Sequence, residues 1–423
     1  MIVVNKKIKV KKLQLRSVSL VRLFSFFFSL YLSIGAINLT FTTVFPELSG
    51  RLMTMLYIFT FACMACITLI ALPNSNHKIS AGPIYLLLVL ILLFLISSMF
   101  GPKMSVSFPM FVLLTLFPIA IPLMGKLNAK IVLFWGMVFS FPAVIFSDVI
   151  FITSGAHNTI SMGTSYAFLF SIMASILYFL LYFKDDKGTR RVVAIMLGMS
   201  NAYLLWKILQ FGSRGPIAAT ACLVAFLICF QYDKDQKKIR IAGRKTAVLV
   251  LVSFILLLNI WSIMEIAVEI LARYDLQINI FNKMIRLNEQ HNLFNGREIN
   301  VNAAMIGIRK NPIIGNGMAS YQYYTGYPYP HNLILQLMYD GGIILTLLVM
   351  VPVIIAGRNW YRRCNISDYA LVVLTLFSGV FPSFFSGDIW TSELLWVCFS
   401  ILLTHSAKKK KGVQNVERSY HLP

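Results

Sequence analysis

The chain has 423 residues, of which 58% are apolar and only 13% charged, with a mean hydropathy of +0.74. That balance leaves too little polar surface to cover a water-soluble globule and excludes an ordinary soluble or disordered protein. The net charge of +22 is dispersed over short loops and the two ends, with no basic domain interleaved with aromatics, which points to anionic lipid headgroups and away from nucleic acid.

Apolar runs long enough to cross a hydrocarbon core of about 30 Å fall at 21–39, 52–72, 83–100, 107–124, 131–151, 165–183, 192–210, 215–231, 246–270, 332–356, 368–386 and 390–404. They predict an all-α polytopic membrane protein of about 12 transmembrane helices. The fourth run holds Pro109, Pro118 and Pro122, and the seventh holds Lys207. Nine helices would occupy 1–270, one long outer loop with short amphipathic helices 271–331, three more helices 332–404, and a basic tail 405–423.

Loops rich in Lys and Arg stay in the cytoplasm. The N-terminal segment carries Lys6, Lys7, Lys9, Lys11, Lys12, Arg16 and Arg22, so the chain starts inside. Alternating from there keeps most basic residues inside, including Lys78, Lys184 and the tail lysines Lys408 to Lys411, and places both termini in the cytoplasm. Outside remain Arg51, Lys103, Arg214, Arg273, Lys283, Arg286, Arg297, Arg309 and Lys310. The first apolar run looks like a signal sequence, but no small-residue cleavage site follows Ala36-Ile-Asn-Leu-Thr, so it reads as an uncleaved helix.

All six cysteines lie in apolar runs or on the inner side, which argues against a disulfide framework. Cys63 and Cys66 have metal-pair spacing but sit mid-helix without a second pair, the position of packing residues. No Gly-rich phosphate loop and no internal repeat is present.

Chemistry concentrates in two places. The turn Gly212-Ser213-Arg214-Gly215-Pro216 sets an arginine at the outer end of two apolar helices. Lys207 lies about two helical turns earlier on nearly the same face. It suits either a buried pair with Asp148 or a role beside Arg214.

In the outer loop, 278–292 alternate in a way that suits the membrane surface. An amphipathic helix is predicted from Arg297 to Lys310, its apolar side formed by Ile299, Val301, Met305, Ile306 and Ile308, stopped by Pro312. An arginine at a helix N-terminus meets partial positive charge, a conflict that a phosphate or pyrophosphate would resolve. Pairing with Glu289 or Glu298 would resolve it too.

The loop ends in Tyr327-Pro328-Tyr329-Pro330-His331-Asn332. His331, held between prolines and a helix, has the chemistry of a general base. Tyr321, Tyr323, Tyr324, Tyr327 and Tyr329 form either an interfacial belt or faces on which sugar rings stack.

Taken in order, Gly212-Ser213-Arg214-Gly215, Gly296-Arg297, Asn311-Pro312-Ile-Ile-Gly315-Asn-Gly317, Tyr329-Pro330-His331-Asn332 and Gly341-Gly342 resemble the O-antigen polymerase/ligase family over roughly residues 200–345. The resemblance implies a glycosyltransferase of the bacterial inner membrane whose donor is an oligosaccharide on undecaprenyl diphosphate, used at the outer face. It implies that Arg214 and Arg297 hold the diphosphate and that His331 activates the acceptor hydroxyl. Lys207, Ser213, Asn332, Tyr324, Tyr327 and Tyr329 are the expected substrate-binding residues. No cofactor or metal is expected, because the outer acids Asp275, Glu289, Glu298 and Asp388 are scattered and form no Asp-x-Asp pair.

The Tyr-Pro-His-Asn run is closer to O-antigen and capsule polymerases, with a chain-length regulator and a flippase as expected partners in the pathway. A ligase transferring glycan to lipid A core shares the same motifs. A polysaccharide flippase or transporter is the non-enzyme alternative, against which stand the missing repeat and the gathering of cations at one face.

Overall fold

The computed structural model describes residues 2–44, 49–71, 80–100, 104–146, 148–149, 158–183, 187–274, 279–291, 296–385 and 387–407. Lys78, Lys103, Lys184, Asp275 and the basic tail from Lys408 onward lie outside the described residues.

The chain runs through α1 (Ile2–Val44), α2 (Ser49–Ala71), α3 (Ala81–Phe100), α4 (Phe108–Met124), α5 (Ala129–Ile145), α6 (Asn158–Tyr182), α7 (Lys187–Phe211) and α8 (Arg214–Cys229). A hairpin of β1 (Phe230–Asp233) and β2 (Lys238–Ile241) leads to α9 (Gly243–Leu258) and α10 (Ile260–Ala272). Next come α11 (Asn279–Glu289), α12 (Arg297–Lys310), α13 (Tyr321–Thr325), α14 (Leu333–Arg362), α15 (Ile366–Ser383) and α16 (Glu393–Ala407).

This is an all-α polytopic membrane protein. Among the described residues seven helices are long and apolar enough to cross a membrane, up to eight if one bent pair counts as a span, and four shorter apolar helices accompany them. These coincide one for one with the twelve predicted runs. The run 246–270 is not one straight helix: it breaks at Asn259, and α9 and α10 are bent 71° apart. Large apolar side chains such as Met196 and Met199 on α7, and Leu251 and Phe254 on α9, are exposed. That surface suits lipid and would aggregate in water.

The core is built where the helices cross. α1 packs on α2, α5 and α6, while α16 packs on α3, α4, α14 and α15. Trp390, Trp396 and Tyr31 are fully buried. Both α4 and α15 contain one π-helical turn, Val112–Leu116 and Leu376–Val380, and each is followed within two residues by a proline, Pro118 or Pro382. A proline cannot supply the helical N–H, and the wider turn accommodates the loss.

Two helices set the ends of the molecule. α8 begins at Arg214 and finishes at the hairpin, and α14 begins beside His331 and finishes beside the same hairpin, where the Cys364 N–H donates to the Lys237 carbonyl at 2.9 Å. The basic hairpin and the Arg214–His331 end therefore lie at opposite ends of helices, of which α14 has 30 residues.

Candidate functional site

Both arginines of interest occupy the first position of a helix entered through a left-handed glycine. Gly212 (φ +72) turns the chain from α7 into α8, and Gly296 (φ +76) leads into α12. Glycine is needed there because other side chains meet the backbone at positive φ. Gly215 serves a different purpose: a Cβ there would lie 2.5 Å from the Tyr166 hydroxyl, so its absence leaves room for that side chain between α6 and α8. Neither Ser213 nor Gly296 provides a side-chain cap to its helix.

Arg297 does not pair with Glu289 or Glu298. Its Nη1 donates to the Phe385 carbonyl at 2.7 Å, in the turn between α15 and α16. That turn is anchored to α14: Gln336 Nε2 donates to Asp388 Oδ1 at 2.5 Å, the Ile389 N–H donates to Gln336 Oε1 at 3.2 Å, and Trp390 Nε1 donates to Asp340 Oδ2 at 2.6 Å. Burial pushes the Asp388 carboxyl above its ordinary range. Asp388 and Asp340 are thus spent inside the protein, joining the turn that orients Arg297 to the helix that follows His331.

His331 stands just before α14 in the left-handed conformation (φ +58), unusual for a residue with a Cβ. Its Nδ1 is buried and has no hydrogen-bond partner, and the Tyr329 ring meets its imidazole edge-on at 4.4 Å between centroids. Burial and the nearby Arg297 charge bring its pKa down to about 4. At neutral pH the ring is uncharged and able to accept a proton. A strained, unpartnered imidazole is a costly arrangement, the kind that persists at functional positions.

The cations gather around it. Arg297 is close enough to Arg214 for the two charges to repel. Lys283 on α11 is shifted below its ordinary range by burial, then by Arg214, Arg297 and Arg286. Among the described residues the ion pairs are Lys207–Asp148, Arg240–Asp233 and Arg273–Glu269, and none includes Arg297 or Lys283. No group of three or more His, Cys, Asp or Glu suited to a metal ion occurs among them. A cluster of cations next to a neutral imidazole is suited to a polyanion with a proton-bearing group beside it.

The other expected residues are placed as follows. Lys207 is buried and paired with Asp148, one of the two arrangements its position allowed. The Asn332 carboxamide oxygen caps α14, accepting from the N–H groups of Ile334 and Leu335 at 3.0 and 3.1 Å, a role its place before an apolar helix could have signalled. Of the tyrosines, Tyr321 is buried and donates to the Asn300 carbonyl at 2.8 Å, Tyr329 supports His331, and Tyr323, Tyr324 and Tyr327 are exposed. The face of α12 also differs from expectation. Asn300, Ala304, Gly307 and Ile308 are buried, with Gly307 under the Tyr339 ring, whereas Ile299, Met305 and Ile306 face out. Close approach to α14 demands small residues, which outweighs apolarity.

The Asn-Pro-Ile-Ile-Gly-Asn-Gly and Gly-Gly motifs meet in one piece of backbone. α14 kinks at Gly342 (φ +64, ψ −166), and the loop 312–317 enters the gap. The Ile343 and Ile344 N–H groups donate to the Pro312 and Ile313 carbonyls at 2.9 and 3.3 Å, while Asn316 and Gly317 N–H groups donate to the Tyr339 and Asp340 carbonyls at 2.8 and 3.0 Å. Four groups that the kink would orphan are thereby satisfied. A Cβ on Gly342 would stand 2.1 Å from the Ile313 oxygen.

The fold and these residues define a polytopic membrane protein with a cationic, histidine-bearing site at one end of its helices. Residues 202–350 match the family model described as O-antigen ligase. That segment, which holds Arg214, Lys283, Arg297, His331 and the Gly342 kink, supports membership of the O-antigen polymerase/ligase family and the role in polysaccharide biosynthesis that goes with it. No curated protein and no solved structure matches the chain.

Proposed function

We propose that this protein is a glycosyltransferase that polymerises undecaprenyl-diphosphate-linked oligosaccharide repeat units into O-antigen or capsular polysaccharide at the outer face of a bacterial inner membrane. The observation that carries the reading is the neutral, unpartnered His331 beside Arg297, with Arg214 and Lys283 close by.

The acceptor is a sugar hydroxyl of an incoming lipid-linked repeat unit. His331 takes its proton as the hydroxyl oxygen forms a bond to the anomeric carbon of the donor. The bond from that carbon to the diphosphate oxygen breaks, and its electron pair leaves with undecaprenyl diphosphate. Arg214 and Arg297 stabilise the charge that gathers on the departing diphosphate. The imidazolium, next to Arg297, then gives up its proton readily to water. Exposed Tyr324 and Tyr327 offer ring faces for sugars at the mouth of the site.

A ligase uses the same donor and the same base, with lipid A core as acceptor. Deleting the gene separates the two. Loss of a polymerase leaves surface glycan of a single repeat unit, and a His331→Ala allele reproduces it. Long polymer accumulating on undecaprenyl diphosphate, with none on lipid A core, would establish the ligase instead.

A further inference from the structure

α11 carries a cation that belongs with the two arginines. The helix is docked on the turn between α7 and α8: Asn279 Nδ2 donates to the Gln210 carbonyl at 2.7 Å, and a Cβ on Gly212 would lie 3.6 Å from the Asn279 Cβ. Ile280 and Leu287 are its buried anchors. Lys283 and Met284 stand three and four residues after Ile280, so they share the docked side. Met284 confirms this by contact, its Sδ lying 3.7 Å from Arg214 Nη1. Lys283 is accordingly half-buried, whereas Arg286 on the same helix is exposed.

A lysine pointing to solvent would need no partner. Lys283 is instead half-buried on the side of α11 where Met284 meets Arg214, and no carboxylate among the described residues pairs with it. Burial and the three neighbouring cations all disfavour its charge. Such a placement is unfavourable in the empty protein and becomes favourable when a polyanion sits among the cations.

We propose that Lys283 is a third diphosphate-binding residue, delivered to the site by α11, and that docking of this helix completes the anion pocket begun by Arg214 and Arg297. The inference rests on the reading of that site as a lipid-diphosphate site. A compact ammonium suits it to the outer phosphate oxygens left by the two planar guanidinium groups.

The test uses the purified full-length protein with an undecaprenyl-diphosphate-linked repeat unit as substrate. Lys283→Ala should raise KM for that donor by about tenfold while leaving kcat nearly unchanged, and Lys283→Arg should restore most of the affinity. Lys310→Ala, exposed at the opposite end of α12 from Arg297, should leave KM as it is. In the wild-type protein inorganic diphosphate should shield Lys283, and not Lys310, from acetylation read by mass spectrometry, which does not depend on any variant folding. An unmoved KM, or no shielding, overturns the inference. If Arg214→Ala and Arg297→Ala still lose activity, the site reading survives that result; if they too are unaffected, both fall together.

Discussion

Arg297 lies close enough to His331 to act on its charge: burial first, and then the Arg297 guanidinium, bring the imidazole down to a pKa of about 4. In the proposed reaction Arg297 would then act on both halves, holding the anionic leaving group and helping burial to keep the base unprotonated. The consequence for pH is definite. With the folded-state value below the ordinary one of about 6.5, the ring stays deprotonated as pH falls through the range in which a free histidine would charge. kcat/KM should hold from about pH 8 to about pH 5. Bound diphosphate offsets Arg297 and raises the pKa, so the acidic limb of kcat should lie at higher pH than that of kcat/KM. A kcat/KM profile that breaks at an ordinary histidine value would contradict this environment for His331.

The arginines should not tolerate replacement by lysine. Arg214→Ala and Arg297→Ala are each expected to lower polymer formation by about 10²-fold or more, with protein levels intact. The corresponding lysine variants should recover little, because a point charge cannot hold two oxygens in the guanidinium's planar geometry. Quantifying glycan chains and protein in the same membranes checks both statements. Normal polymer from Arg297→Ala would leave that side chain with only its bond to the Phe385 carbonyl.

The kink in α14 should be the structural weak point. Gly342→Ala combines a positive φ with a contact of 2.1 Å to the Ile313 oxygen, and is expected to cost on the order of 3 kcal/mol. Gly357→Ala in the same helix meets nothing within 4 Å and should be harmless. Thermal unfolding in detergent distinguishes them.

Much of this was legible in the amino-acid sequence because membrane spans and helix starts are marked by composition and glycine. The twelve apolar runs are recovered as helices, and α12 starts at Arg297 and ends at Lys310 as its punctuation indicates. Arg214 and His331 stood out for the same reason, each lying in a tight turn at the end of an apolar helix. What stayed hidden depends on chain segments meeting in space. Lys283 reads as one of several loop cations until α11 is docked on Gly212. Asp388 reads as one of several scattered acids until Gln336 is seen to bind it, and the role of Asp340 emerges only from its bond to Trp390. The break at Asn259 carries no proline or glycine to announce it.

The proposed orientation rests on the opposite placement of the site and the basic hairpin. Single cysteines at exposed Tyr323 and Gln236, in a cysteine-free background, should differ in intact spheroplasts: an impermeant thiol reagent should label position 323 and spare 236. The reverse pattern would put His331 in the cytoplasm and remove the proposed outer-face chemistry.

The most direct measurement is turnover by the purified protein. Given synthetic undecaprenyl-diphosphate-linked repeat units in detergent, the wild-type chain should build longer glycans and release undecaprenyl diphosphate in step, and His331→Ala should slow this by about 10²–10⁴-fold. No elongation by folded protein on verified substrate, or elongation that His331→Ala leaves untouched, would contradict the assignment of His331 as the base of a lipid-diphosphate-dependent glycosyltransferase.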